Sequence, residues 1–175
     1  MTGMLCFAWG KLRGLRMKSW TALIRVCVVA VLVWPGCARA DNSPEVPLQV
    51  AGAWVVTAAQ VAELIADGVA VIDVRAQDDY FSARIPGALH VAYSERSRQA
   101  SDFDPANDEV PAFLARLHRF VNNPNLPVIL YCNGPQCWKS HKACKAVVAD
   151  GYTAVHWFRG GLAEWRAAGF PTDQE

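Results

Sequence analysis

A parallel α/β sheet with helices on both faces is the fold that three features of this sequence predict. Short apolar runs alternate with amphipathic stretches from residue 54 to residue 168, the order that βαβ units require. Two of the runs, 69–74 and 128–131, are apolar almost throughout, as strands buried on both faces are. The second run ends directly on Cys132, ahead of a loop with Gly134 and Pro135 and then a helix. Ligands of such sheets bind beyond the carboxyl ends of the strands, so Cys132 stands where a site belongs.

The elements follow in order. Residues 54–56 read as a short strand. Thr57 caps a helix over 58–66, in which Val61, Leu64 and Ile65 form an apolar face and which Gly68 stops. The run 69–74, interrupted only by Asp73, is a central strand. A short helix follows around 78–82, Ile85-Pro86-Gly87 turns, and 88–91 is a further strand. Residues 94–110 are polar, acidic and irregular, long for a connection inside a compact domain, which marks them as a site lining or a mobile segment. A helix over 111–121 carries Phe113, Leu114, Leu117, Phe120 and Val121 on one side. After the 128–131 strand and the cysteine loop, Ser140 reads as the N-cap of a helix through Asp150, with Gly151 as its stop. A strand over 153–158, the Gly160-Gly161 turn and a helix over 162–168 complete the pattern.

The first forty residues read as a secretory signal peptide. Lys11, Arg13, Arg16 and Lys18 precede a short apolar run at 26–33, and Ala38-Arg39-Ala40 is a small-x-small cleavage signal. The run is too short to span a bilayer; the competing reading is an N-terminal anchor that stays attached. The chain thus divides into a signal peptide at 1–40, a flexible N-terminal linker at 41–50 and one domain at 51–175. Cleavage after Ala40 removes six basic residues and leaves 11 Lys and Arg against all 16 acids, a charge of −5 instead of +1. That balance argues against a general nucleic-acid binder. The expected location is periplasmic or secreted, with no nucleic-acid partner and no membrane after cleavage. Three cysteines leave with the signal, and Cys132, Cys137 and Cys144 remain within thirteen residues, too close together for a disulfide scaffold.

A thiol between a strand end and a helix N-terminus lies among free backbone N–H groups, at the positive end of the helix dipole. Both favour the thiolate and attract an anion. The bland reading is a buried or disulfide-bonded structural cysteine.

Three segments resemble the rhodanese (sulfurtransferase) family. The first is Val71-Ile72-Asp73-Val74-Arg75 with Tyr80-Phe81-Ser82-Ala83-Arg84-Ile85-Pro86-Gly87-Ala88, where Arg84 stands at a position many members fill with His. The second is the strand ending in Cys132. The third is Arg159-Gly160-Gly161-Leu162-Ala163-Glu164-Trp165 with Ala168-Gly169-Phe170-Pro171. The resemblance spans residues 54–171 and implies a single rhodanese-like domain. It implies a sulfurtransferase in which the Cys132 thiolate takes a sulfane sulfur from a thiosulfate-like donor as a persulfide. A thiophilic acceptor, cyanide or a thiol, then removes it. The substrate-binding loop is Asn133, Gly134, Pro135, Gln136, Trp138, Lys139 and Ser140. Its backbone forms a nest around the anionic sulfur, and Lys139 is the nearest cation. Asp73, Arg75 and Arg84 support the loop, Asp73 pairing with one of the two arginines. No cofactor is implied, and Cys132, Cys137, His141 and Cys144 fit no common zinc module.

The loop departs from the family. From Cys132 to Ser140 it runs about two residues longer than the common form, which suits a bulkier or different substrate. Cys137 is either an alternative nucleophile or a resolving cysteine that closes a disulfide on Cys132. Two further readings follow from it: a thiol–disulfide redox protein with a periplasmic redox partner, or a catalytically silent binding module. Cys144 reads as a small buried hydrophobe. His90 and His156 read as packing residues, His118 as solvated and His141 as close enough to touch substrate. Trp157 and Trp165 belong to the core, whereas Trp138 walls or plugs the pocket.

Overall fold

Alternating apolar and amphipathic segments close into one five-stranded sheet in which every pairing is parallel. The computed structural model describes residues 45–95 and 108–174. The expected signal peptide and residues 96–107 of the long connection lie outside the described residues. The elements are β1 (Ala53–Val55), α1 (Ala58–Ala66), β2 (Ala70–Asp73), α2 (Gln77–Ser82), β3 (Leu89–His90), α3 (Val110–Leu117), β4 (Val128–Tyr131), α4 (Trp138–Ala149), β5 (Val155–Phe158) and α5 (Gly161–Ala167). The strand order is β1-β5-β4-β2-β3, so β4 is central.

The two-residue period of β4 divides the core. Val128 and Leu130 face one way, into a cluster with Phe113 and Leu117 of α3 and Ala143 and Val147 of α4. Ile129 and Tyr131 face the other way, into a cluster with Val61 of α1 and Leu162 and Trp165 of α5. Helices thus cover both faces, which is why β4 reads as an uninterrupted apolar run. Each fully buried side chain of this kind contributes about 1.5–3 kcal/mol relative to exposure.

α1 forms where local chemistry places it. The Thr57 Oγ1 accepts from the Gln60 N–H at 3.4 Å, and the Gln60 Oε1 accepts from the Thr57 N–H at 2.9 Å, a complete capping box. Gly68, at φ +82°, ends the helix in a left-handed conformation that a side chain resists.

Three expectations are corrected. α4 starts at Trp138 with Cys137 as its N-cap, three residues before the expected cap, and Ser140 lies inside it. The Ser140 hydroxyl is engaged instead with the core, accepting from the Trp157 indole N–H at 3.1 Å and donating to the Cys137 carbonyl at 3.3 Å. Phe120, placed on the apolar side of α3, is 51% exposed. The helix ends at Leu117, and bonds from Arg119 N to Arg116 O and from Phe120 N to Leu117 O tighten the chain into a narrower turn. That rotates Phe120 outward. The linker at 41–50 is not free over its described part. Val46 and Val50 are buried in the α3–α4 cluster, and the Arg159 guanidinium donates to the Val46 and Pro47 carbonyls.

α4 also buries a cation. The Lys142 ammonium is fully enclosed, 3.2 Å from the Asp108 carboxylate and 3.6 Å from that of Glu95. Tyr93 donates to Asp108 at 3.2 Å. Burial raises the Tyr93 pKa, with the charge of Asp108 adding to it, so this hydroxyl stays a donor.

Candidate active site

Cys132 leaves β4 at its carboxyl end and is disulfide-bonded to Cys137, five residues on, with the two Cα atoms 6.2 Å apart. Since Cys137 is the N-cap of the 12-residue α4, both sulfurs lie at the start of that helix, where its free N–H groups and dipole favour negative charge. Cys132 is 2% exposed and Cys137 is half-buried.

Other elements hold the loop backbone. The Leu162 N–H donates to the Cys132 carbonyl at 2.9 Å, and the Ala163 N–H to the Asn133 carbonyl at 3.0 Å. Within the loop, the Cys137 N–H donates to the Gly134 carbonyl at 3.0 Å. The close approach of α5 depends on Gly161, at φ +57°. A Cβ there would lie 2.2 Å from the Cys132 carbonyl oxygen and 2.9 Å from the Gly134 nitrogen. Gly161→Ala is therefore expected to destabilise the protein by more than the roughly 1–2 kcal/mol of left-handed strain alone, because the Cys132 carbonyl must also move. Gly134→Ala is the control. Its Cβ would meet the Ala163 Cβ at 3.5 Å and the Gly160 carbonyl oxygen at 3.7 Å, both ordinary contacts. Urea unfolding of both variants checks this, and a Gly161→Ala midpoint at or above that of Gly134→Ala would contradict the clamp.

Beneath the loop lies a polar network. Asp73 is the register partner of Tyr131, at the ends of β2 and β4. Its carboxylate accepts from the Arg75 Nε at 2.9 and 3.0 Å, from Arg75 Nη2 at 2.6 Å, and from the Tyr131 hydroxyl at 2.5 Å. Arg75 also donates to the Ala83 carbonyl at 2.5 Å and, through Nη1, to the Asn133 Oδ1 at 3.1 Å. The Asn133 amide donates in turn to Asp79 of α2 at 3.4 Å. Burial alone would lower the Arg75 pKa, but the hydrogen bond and charge of Asp73 outweigh it and hold that pKa above its ordinary value. Burial, with Asp73 beside it, raises the Tyr131 pKa, so this hydroxyl also remains a donor. The guanidinium is thus bound on all sides to protein and fixes the first residue of the loop. It acts as a positioning group and is not open to a substrate anion.

The remaining expected site residues fall in several places. Asn133, Pro135 and Gln136 are exposed, and Gly134 and Lys139 are half-buried. Arg84 does not pair with Asp73. Its guanidinium sits 4.7 Å over the Tyr80 ring, and its backbone pairs with Asp173, because Arg75, two residues from Asp73, reaches the carboxylate first. Trp138 packs against the α3–α4 core and meets His141 edge-on, ring centroids 5.3 Å apart. Cys144 is buried and free, its thiol pKa pushed well above the ordinary value by burial. Tyr131 and Gly161 were not singled out from sequence. The signal for Tyr131 was a hydroxyl in an apolar run facing Asp73, and for Gly161 the second glycine of the closing motif.

His141 is 7% exposed, between the rings of Trp138 and Trp157. Burial lowers its pKa to about 4, with Lys145 and Lys142 adding to the effect, so the ring is neutral near pH 7. The unfolded chain takes up a proton near pH 6.5 that the folded ring refuses until about pH 4. The stability from keeping this ring neutral is therefore complete above pH 6.5 and lost as pH falls toward 4, at up to ~1.4 kcal/mol per unit. His141→Gln is expected to flatten that slope in urea unfolding between pH 4.5 and 6.5 (about the window set by the two values). An unchanged slope would overturn the assignment.

With this geometry in view, the chain can be set beside known proteins. The family model for the Rhodanese-like domain matches residues 57–168. The chain is 25% identical over 106 residues to the HTH-type transcriptional regulator Rv0324 of Mycobacterium tuberculosis, a match covering 61% of this chain and 38% of the regulator. It thus spans well under half the length of that curated relative. Among solved structures, the thiosulfate sulfurtransferase from Pseudomonas aeruginosa superposes with a TM-score of 0.52 at 20% identity, over 70% of this chain and 20% of that one. The polysulfide-sulfur transferase homodimer from Wolinella succinogenes also gives 0.52, at 16% identity, over 71% and 81% of the two chains. At these identities the likeness is one of fold.

Proposed function

This chain belongs to the rhodanese-like domain family, and on that premise we propose that it is a sulfurtransferase acting through a persulfide on Cys132. The carrying observation is the position of Cys132, at the carboxyl end of the central strand and the start of α4, with its carbonyl fixed by α5. The names of two structural neighbours, a thiosulfate and a polysulfide-sulfur transferase, support a sulfane-sulfur donor. The observed disulfide is the resting form. An external dithiol reduces it and frees both thiols.

The Cys132 thiolate, favoured by the α4 N-terminus, then attacks the outer sulfur of a donor such as thiosulfate. The donor S–S bond breaks, sulfite leaves with the electron pair, and Cys132 carries the persulfide. Backbone N–H groups at the start of α4 hold the anionic sulfur, and Lys139, in the first turn of α4, is the nearest cation in sequence. We place the protein in the periplasm or outside the cell on the pattern of residues 1–40, and a disulfide fits an oxidising compartment. The disulfide also favours one second reading, thiol–disulfide exchange without sulfur uptake. The test is sulfite release when the reduced protein meets thiosulfate, compared with Cys132→Ser. No release by the reduced wild type would overturn sulfur transfer from this donor.

A further inference from the structure

We propose that Cys137 expels the sulfur carried by Cys132 as hydrosulfide, making this site a dithiol-dependent reductase of sulfane sulfur. The inference rests on the persulfide reading above. In a persulfide the inner sulfur is Cys132 Sγ. A thiolate that attacks the outer sulfur moves the persulfide elsewhere. One that attacks the inner sulfur makes a disulfide and expels hydrosulfide. The structure contains the product of the second course, a bond between Cys137 Sγ and Cys132 Sγ.

Three observations favour it. The Cα separation of 6.2 Å lies within the usual disulfide range, so the bond fits the loop as it is folded here. Both ends are anchored, Cys132 by its bond from Leu162 and Cys137 by its turn onto Gly134. An anchored thiol competes at a high effective concentration with any diffusing acceptor. In the disulfide Cys132 is buried and Cys137 is half-buried, so Cys137 is the thiol that the fold sets against the inner sulfur. The third thiol, Cys144, does not compete, being buried with a raised pKa.

The steps balance. Cys132 thiolate attacks the outer sulfur of thiosulfate, and sulfite leaves. Cys137 thiolate then attacks Cys132 Sγ. The bond to the outer sulfur breaks and that sulfur departs with the electron pair. The two cysteines lose two electrons between them, and the sulfane sulfur gains both. The two thiol protons end on hydrosulfide and hydrogen sulfite. An external dithiol reduces the disulfide for the next cycle.

The experiment uses protein reduced, freed of reductant and mixed anaerobically with equimolar thiosulfate. Sulfite and sulfide are measured, and peptide masses locate sulfur. The wild type is expected to release equal amounts of both and to finish with Cys132 bonded to Cys137. Cys137→Ser, with Cys137→Ala as a second variant, is expected to release sulfite, retain one extra sulfur on Cys132 and yield at least about tenfold less sulfide. A wild type that keeps a stable persulfide without sulfide would overturn the proposal and leave sulfur transfer standing. So would a Cys137 variant that releases sulfide as fast as the wild type. Absence of sulfite from all three proteins would overturn both.

Discussion

Cys132→Ser is expected to lower sulfite release from thiosulfate by at least about a thousandfold in the reduced protein. A serine hydroxyl stays protonated where a thiol at a helix N-terminus ionises, and oxygen cannot form the sulfur–sulfur bond of a persulfide. The substitution is small, and the backbone bonds from Leu162 and Ala163 do not depend on the sulfur, so the loop is expected to persist. Cys137→Ser is expected to keep its first burst of sulfite, because Cys137 acts only after the donor bond has broken. The pair of variants therefore separates two registers of the site. If Cys137→Ser loses the burst and Cys132→Ser keeps it, Cys137 is the nucleophile, and the position at the end of β4 is not the one that matters. Sulfite quantified in a single turnover, with circular dichroism to verify folding, decides between them.

The position of Cys132 was legible because its causes are local and periodic. The run 128–131 is apolar on both faces, and the next residue is the cysteine. α1 was legible for the same reason, since Thr57, Gln60 and Gly68 carry the start and stop signals within the segment itself. The start of α4 was not. Ser140 has the propensity of an N-cap, but its hydroxyl is engaged by the indole of Trp157, on a strand seventeen residues away. Distant contact overrode local preference there. Val46 and Val50 were hidden by polar, proline-bearing neighbours, and only the α3–α4 cluster gives them something to pack against. The choice between Arg75 and Arg84 as the partner of Asp73 was open in sequence because both lie in the same motif. It was decided by the turn after β2, in which the Arg75 N–H already donates to the Asp73 carboxylate at 2.9 Å.

That ion pair carries the second large effect. Asp73→Ala is expected to destabilise the protein by about 3–5 kcal/mol. It leaves the Arg75 guanidinium enclosed without its carboxylate and removes the acceptor of the Tyr131 hydroxyl. Both groups are buried, so the cost is that of stranding a buried charge and a buried donor together. Asp73→Asn keeps an acceptor for both and is expected to lose less. Replacing the pair together, as Asp73→Leu with Arg75→Met, is expected to recover part of the stability lost in Asp73→Ala, since no uncompensated charge remains. The double variant also lacks the donor to Asn133 Oδ1, so its sulfur-transfer rate should stay depressed even where its fold is restored. Urea midpoints for the three variants, followed by single-turnover sulfite release at a temperature where each is folded, separate support of the fold from positioning of the loop. If Asp73→Ala lies within about 1 kcal/mol of the wild type, the pair holds less than its enclosure implies. A fully active double variant would show that Asn133 keeps its place without Arg75.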